Sequence, residues 1–101
     1  MQKKTEVNLL PQAEEDLLEI VDYIALDNPS AGEKMLTRFE KAFDQLAENP
    51  TSGRRARDER LKLLQYRFLI VDRYLIFYLF RDKKVLICRI LHGARDLLSI
   101  L

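Results

Sequence analysis

An α+β fold is predicted for this chain, on three features of its sequence. It opens with a short alternating stretch, Thr5 to Leu10, in which Val7 and Leu9 share one side and Glu6 and Asn8 the other. Two stretches of helical period follow, broken only at Asn28-Pro29. Three apolar runs with very short polar turns then close the chain. The expected order is β-α-α-β-β-β: an N-terminal strand, an α-helical hairpin, and a three-stranded antiparallel meander with a short C-terminal tail.

The chain has 101 residues, of which 48% are hydrophobic and 33% charged, which suits one domain over 1–101 with one core. After the opening strand, Pro11 fits the first turn of a helix, where a missing N–H costs nothing. Ala13, Leu17, Ile20, Val21 and Ile24 form one apolar stripe, and Glu14, Glu15, Asp16, Glu19 and Asp22 are expected on its solvated side. Pro29 breaks the helix, and Ser30 with Glu33 reads as a capping box for the next. Met35, Phe39, Ala42, Phe43 and Leu46 repeat the spacing up to Asn49-Pro50. Two such helices form an αα-hairpin whose stripes must cover a sheet.

Thr51 to Arg60 is polar and loop-like, with Arg54, Arg55, Arg57 and Arg60 within seven positions. Leu61 to Gln65 suits either a helical turn or the approach to a strand. Tyr66–Val71, Tyr74–Phe80 and Val85–Leu91 read as strands, joined at Asp72-Arg73 and at Arg81-Asp82-Lys83-Lys84. The last two runs are apolar on both faces, so cover on both sides is expected. The helical hairpin supplies one cover and leaves the other face partly open. Tyr66, Phe68, Tyr74, Phe77 and Tyr78 then either fill the core or form an exposed partner surface.

No run approaches the ~20 apolar residues of a membrane helix, and no apolar leader follows Met1-Gln2-Lys3-Lys4. The single cysteine, Cys88, reads as a small buried hydrophobe in a reducing cytosol. Net charge is +1, yet it is unevenly spread. Residues 1–33 hold eight acids against two lysines, and residues 54–101 hold twelve bases against five acids. That asymmetry suits an electrostatic partner surface unless folding interleaves the charges.

Few chemistries survive inspection. Three glycines, Gly32, Gly53 and Gly93, make no phosphate loop, and one histidine with one cysteine makes no zinc site. No nucleophile elbow surrounds Ser30, Ser52 or Ser99, which excludes a triad with His92 and Asp96. Asp16 and Glu19 are expected to be too solvated for shifted pKa values. What is left is His92 at a strand end, beside Gly93, Arg95 and Asp96, with Arg67 and Arg73 nearby in the meander. Metal-free RNA cleavage needs an acid, a base and cations for the phosphate, roles open to a histidine and arginines. The alternative is structural: a hydrogen-bonded ring ending a strand, and an Arg95–Asp96 pair in the tail.

The run Arg73-Tyr74-Leu75-Ile76-Phe77-Tyr78, the strand ending Arg89-Ile90-Leu91, and His92-Gly93-Ala94-Arg95-Asp96-Leu97 resemble the C-terminal half of ParE toxins. These belong to the RelE/ParE superfamily of type II toxin–antitoxin modules. The N-terminal pattern is similar too: a strand, a proline, Ala13-x-x-Asp16-Leu17-x-x-Ile20-x-x-Tyr23-Ile24, then a helix ending at Asn49-Pro50. The resemblance spans nearly the whole chain and implies a RelE/ParE-like fold.

It further implies a small cytoplasmic bacterial toxin that forms a hetero-oligomer with a cognate antitoxin, whose disordered C-terminal segment folds over it. ParE members are associated with DNA gyrase inhibition, growth arrest and plasmid stabilisation. RelE-type relatives are ribosome-dependent mRNA endoribonucleases. Their equivalent strand commonly carries an arginine where this chain has Leu75, and they tend to be strongly basic. Both departures favour a non-enzymatic gyrase inhibitor with no cofactor and no metal. Target binding is then expected at His92, Arg95 and Asp96 with the tail Leu97 to Leu101, and secondarily at Arg73. Antitoxin binding is expected at Arg54, Arg55, Arg57 and Arg60 and at the aromatic surface of Tyr74 and Phe77. Direct nucleic-acid binding is left open. In a ribonuclease, His92, Arg73 and Arg67 would carry the chemistry. A member that has lost toxicity would only bind its antitoxin.

Overall fold

A computed structural model describes residues 4–93. In chain order it contains β1 (Glu6–Leu9), α1 (Pro11–Asp27), α2 (Pro29–Glu48), β2 (Arg54–Arg55), α3 (Glu59–Leu63), β3 (Arg67–Val71), β4 (Tyr74–Arg81) and β5 (Lys84–His92). The α+β class and the order of the main elements are as the sequence predicts. One five-stranded sheet runs β1-β5-β4-β3-β2. β3, β4 and β5 form the antiparallel meander, and β1 lies parallel to β5 at one edge.

The helices follow from local chemistry. Pro11 and Pro29 each occupy the first turn, where the fixed φ of proline suits a helix start. The cap of α2 differs from the expected Ser30–Glu33 box. Pro29 already begins the helix, so Asn28 is the cap, and its side chain accepts a hydrogen bond from Ala31 N at 3.1 Å. At the hairpin α1 and α2 approach closely: a Cβ added to Gly32 would lie 2.8 Å from the Ala25 Cβ. Met35, Phe39, Ala42 and Leu46 of α2 are buried with Ala13 of α1 against Ile76, Tyr78, Val85, Ile87 and Ile90 of the sheet.

Thr51 to Arg60 is more ordered than the expected loop. Arg54 and Arg55 pair with Phe68 and Arg67 as a fifth strand, and the Asp58 side chain caps α3 through Arg60 N and Leu61 N. The fully buried Tyr78 explains the ordering, because its hydroxyl accepts from Gly53 N at 2.9 Å. Arg67 adds to it, its Nη1 donating to Thr51 O and Gly53 O at 3.3 and 3.1 Å. On the face away from the helices Phe77 is buried and lies 5.9 Å from the Phe68 ring, while Ile70 stays exposed. Among the described residues no helix is long and apolar enough to cross a membrane.

Candidate functional site

The end of the sheet where β5 stops is built by register. Tyr74 opens β4 opposite Val71 of β3 and opposite His92 of β5, so the three strand ends meet in one place. The His92 ring stands edge-on to Tyr74, with centroids 5.5 Å apart and planes at 88°. Tyr74 is backed by Phe39 at 5.7 Å. Arg73 lies in the turn beside them, and its carbonyl accepts from Gly93 N at 2.8 Å. Asp72, in the left-handed region at φ 53°, is ion-paired with Arg38 of α2 and so ties the turn to the helix.

These groups line an open cleft of about 1140 Å³ between α1 and the strand ends. Glu19, Ile20, Tyr23 and Ile24 form the α1 wall, with Tyr23 77% exposed at its rim. Arg73, Tyr74, Arg89 and His92 form the other. His92 is half-buried, so its ring belongs to the cleft wall and not to the deep core.

Asp16 lies at the base of the cleft and corrects the expectation of a solvated acidic face. It is 7% exposed. Its Oδ2 accepts from Arg89 Nε at 2.8 Å and from Ile90 N at 3.0 Å, and its Oδ1 accepts from Arg89 Nη2 at 3.2 Å and Gln12 Nε2 at 3.3 Å. Burial pushes the carboxyl upward, but the bonds from Arg89, Ile90 N and Gln12 outweigh it and hold the carboxyl below the usual range. A sequence signal for this existed: Asp16 falls in line with Ala13, Ile20 and Ile24, at steps of three, four and eight, on the inner face of α1. An acid in an apolar stripe needs an interior partner.

The other expected residues lie elsewhere. Arg54, Arg55, Arg57 and Arg60 are exposed on and after β2, and Arg60 makes an ion pair with Asp58 at 3.5 Å. Arg55, Lys62 and Arg67 share a second hollow with Tyr66 and Phe80. Arg67 pairs with Tyr78, four positions along β3 from Val71. At ~3.3 Å per residue this puts it roughly 13 Å along the sheet from the His92 end. The fold therefore brings His92 and Arg73 together and keeps Arg67 apart. Phe77 is 5% exposed and Tyr74 half-buried, so neither offers a broad aromatic surface. Burial, above all, pushes the Cys88 thiol up, which suits an inert core residue. Arg95, Asp96 and the tail Leu97 to Leu101 lie outside the described residues.

Comparison with known proteins adds to this geometry. A family model described as the ParE toxin of type II toxin-antitoxin system, parDE, matches residues 7–97. Toxin RelE2 of Caulobacter vibrioides is 40% identical over 80 residues, covering 79% of this chain and 85% of that protein.

Proposed function

The chain belongs to the ParE toxin family of type II toxin–antitoxin systems, and from that membership we propose that it arrests growth by binding DNA gyrase, without cleaving a substrate. As a toxin of such a system it has a cognate antitoxin as partner. One observation carries the binding reading. The three groups a ribonuclease would need are not gathered: His92 and Arg73 share the cleft, while Arg67 sits at the other end of β3 and is committed to Thr51 O and Gly53 O. Leu75 leaves an apolar side chain where RelE-type enzymes commonly have a cation. The cleft is also charge-mixed, with Asp16, Glu19 and Asp72 beside its two arginines, a poor setting for a polyanion.

Gyrase as the target follows from the resemblance of the terminal His92-Gly93-Ala94-Arg95-Asp96 run to ParE toxins. Contact is proposed through His92 and Arg73 on the cleft rim, with Arg95 and Asp96 following in sequence. The antitoxin is proposed to meet the exposed arginines of the β2 segment through its acids, since a disordered acidic segment needs charge steering as well as apolar anchors. Purified chain titrated into a supercoiling reaction tests the target. Supercoiling should stop, and His92→Ala should relieve the inhibition; supercoiling untouched by wild type at concentrations that arrest growth would remove gyrase.

A second reading has its own support. The relative from Caulobacter carries a RelE name, and His92 and Arg73, which could serve as acid or base and as phosphate clamp, line the same cleft. Ribosome-dependent transcript cleavage that is abolished by His92→Ala would replace the binding reading with this one.

A further inference from the structure

We propose that Asp16 is a positioning residue for the target-facing end of β5: by holding Ile90 N–H and the Arg89 guanidinium on one carboxylate, it sets where His92 stands in the cleft. The inference rests on the reading that this end engages the target.

β1 covers the outer edge of β5 only from Lys84 to Ile87, and Leu10 N closes that pairing on Ile87 O at 2.9 Å. Immediately beyond, the register with β4 slips: Phe77 pairs with Arg89 and Tyr78 with Ile87, leaving Cys88 as the extra residue of a bulge. Past this bulge β5 has, among the described residues, a partner strand on the β4 side alone. Such an end has half the ladder of a central strand and a local kink, which leaves the direction of its last residues weakly fixed. Asp16 reaches it from α1 and takes the edge amide of Ile90 at 3.0 Å, as the carbonyl of a neighbouring strand would. The same Oδ2 holds Arg89 Nε at 2.8 Å, so the residue just past the bulge is fixed as well. Two residues after Ile90 stands His92.

An apolar residue at position 16 would continue the stripe of Ala13, Leu17, Ile20 and Ile24 at lower desolvation cost, but would leave Ile90 N–H unsatisfied. The carboxylate also governs charge. Arg73, Arg89 and His92 line the same cleft, and Asp16 neutralises the Arg89 guanidinium there. Loss of the carboxylate need not unfold the strand, because Arg89 to His92 keep their pairing with Phe77 to Tyr74.

The test compares Asp16→Asn with Leu46→Ala, a core truncation in the last turns of α2 at a residue that does not itself line the cleft. Each is read by melting temperature, by the concentration that half-inhibits gyrase, and by the ring signal of the one histidine in the chain. Asp16→Asn should raise the half-inhibiting concentration about tenfold or more and shift the His92 signal. Leu46→Ala should melt at least as early, yet inhibit within about threefold of wild type and leave the His92 signal in place. Parallel loss of inhibition in both variants, or wild-type inhibition by Asp16→Asn, would overturn the proposal. If wild-type chain leaves gyrase untouched, the target reading fails by itself and the His92 signal decides: a shift in Asp16→Asn alone upholds the positioning role, and an unmoved signal ends it.

Discussion

Two buried polar groups anchor this fold, and each sets a measurable cost. Asp16 receives charge-assisted bonds on both oxygens, but its partner Arg89 has a side chain 44% exposed, so water would recover part of the loss. Asp16→Asn should therefore cost about 2 kcal/mol, below the figure for a fully buried pair. Because the folded carboxyl lies below its unfolded value, that stabilisation is complete above the unfolded pKa and is lost as pH falls through the folded one. The gap between wild type and Asp16→Asn should thus be flat from neutrality to about pH 4 and close below it, as denaturant melts at a series of pH values would show. Tyr78→Phe removes the acceptor of Gly53 N, at about 1–2 kcal/mol. Hydrogen exchange should then accelerate at Gly53 ahead of the sheet centre; uniform acceleration would argue against a local pin. The two residues differ in legibility. Tyr78 lies in an apolar run and is expected inside, whereas its hydroxyl partner is 25 residues away and is not written locally. Asp16 is one of five neighbouring acids (Glu14, Glu15, Asp16, Glu19 and Asp22) that together suggest a solvated face, whereas its own spacing from Ala13 and Ile20 puts it on the inner one.

The strands and helices themselves were legible where periodicity is strong. Both long helices and the three meander strands stand within about two residues of the expected bounds, because their apolar spacing agrees with their packing. Short elements were not. β2 has two residues and α3 five, too few for any period, and both depend on Tyr78, Arg67 and Asp58. The β4–β5 turn is a further case: Asp82 and Lys83 take φ of 52° and 62°, the left-handed pair a two-residue hairpin needs, without a glycine. Lys83→Gly should stabilise the chain by about 0.5–1 kcal/mol, since relief of the side-chain clash exceeds the added entropy of the unfolded glycine. A lower melting temperature for Lys83→Gly would mean that the lysine makes a compensating contact. Where α1 meets α2, Gly32→Ala should act in the opposite direction by about 1–3 kcal/mol, because the Ala25 Cβ at 2.8 Å leaves no room.

At the scale of the molecule, the sheet order depends on contacts the sequence does not encode locally. That the first strand joins the sheet follows from its alternation; that it lies parallel to β5 follows from two helices crossing back over one face. This crossing places α1 along the unpaired end of β5 and so creates the cleft. The charge asymmetry also survives folding in part: Glu14, Glu15, Glu19 and Asp22 stay exposed on α1, while Arg54, Arg55 and Arg57 stay exposed at the opposite edge of the sheet. Replacing those three arginines by glutamate should weaken antitoxin binding by about tenfold or more at low salt, with the difference shrinking above ~0.5 M. A salt-independent loss would assign them a packing role. Growth arrest through gyrase is tested most directly by inducing the chain without its antitoxin and following chromosome breaks and transcript integrity in the same culture. Breaks with intact transcripts are the expected result; cleaved transcripts over an undamaged chromosome would contradict it.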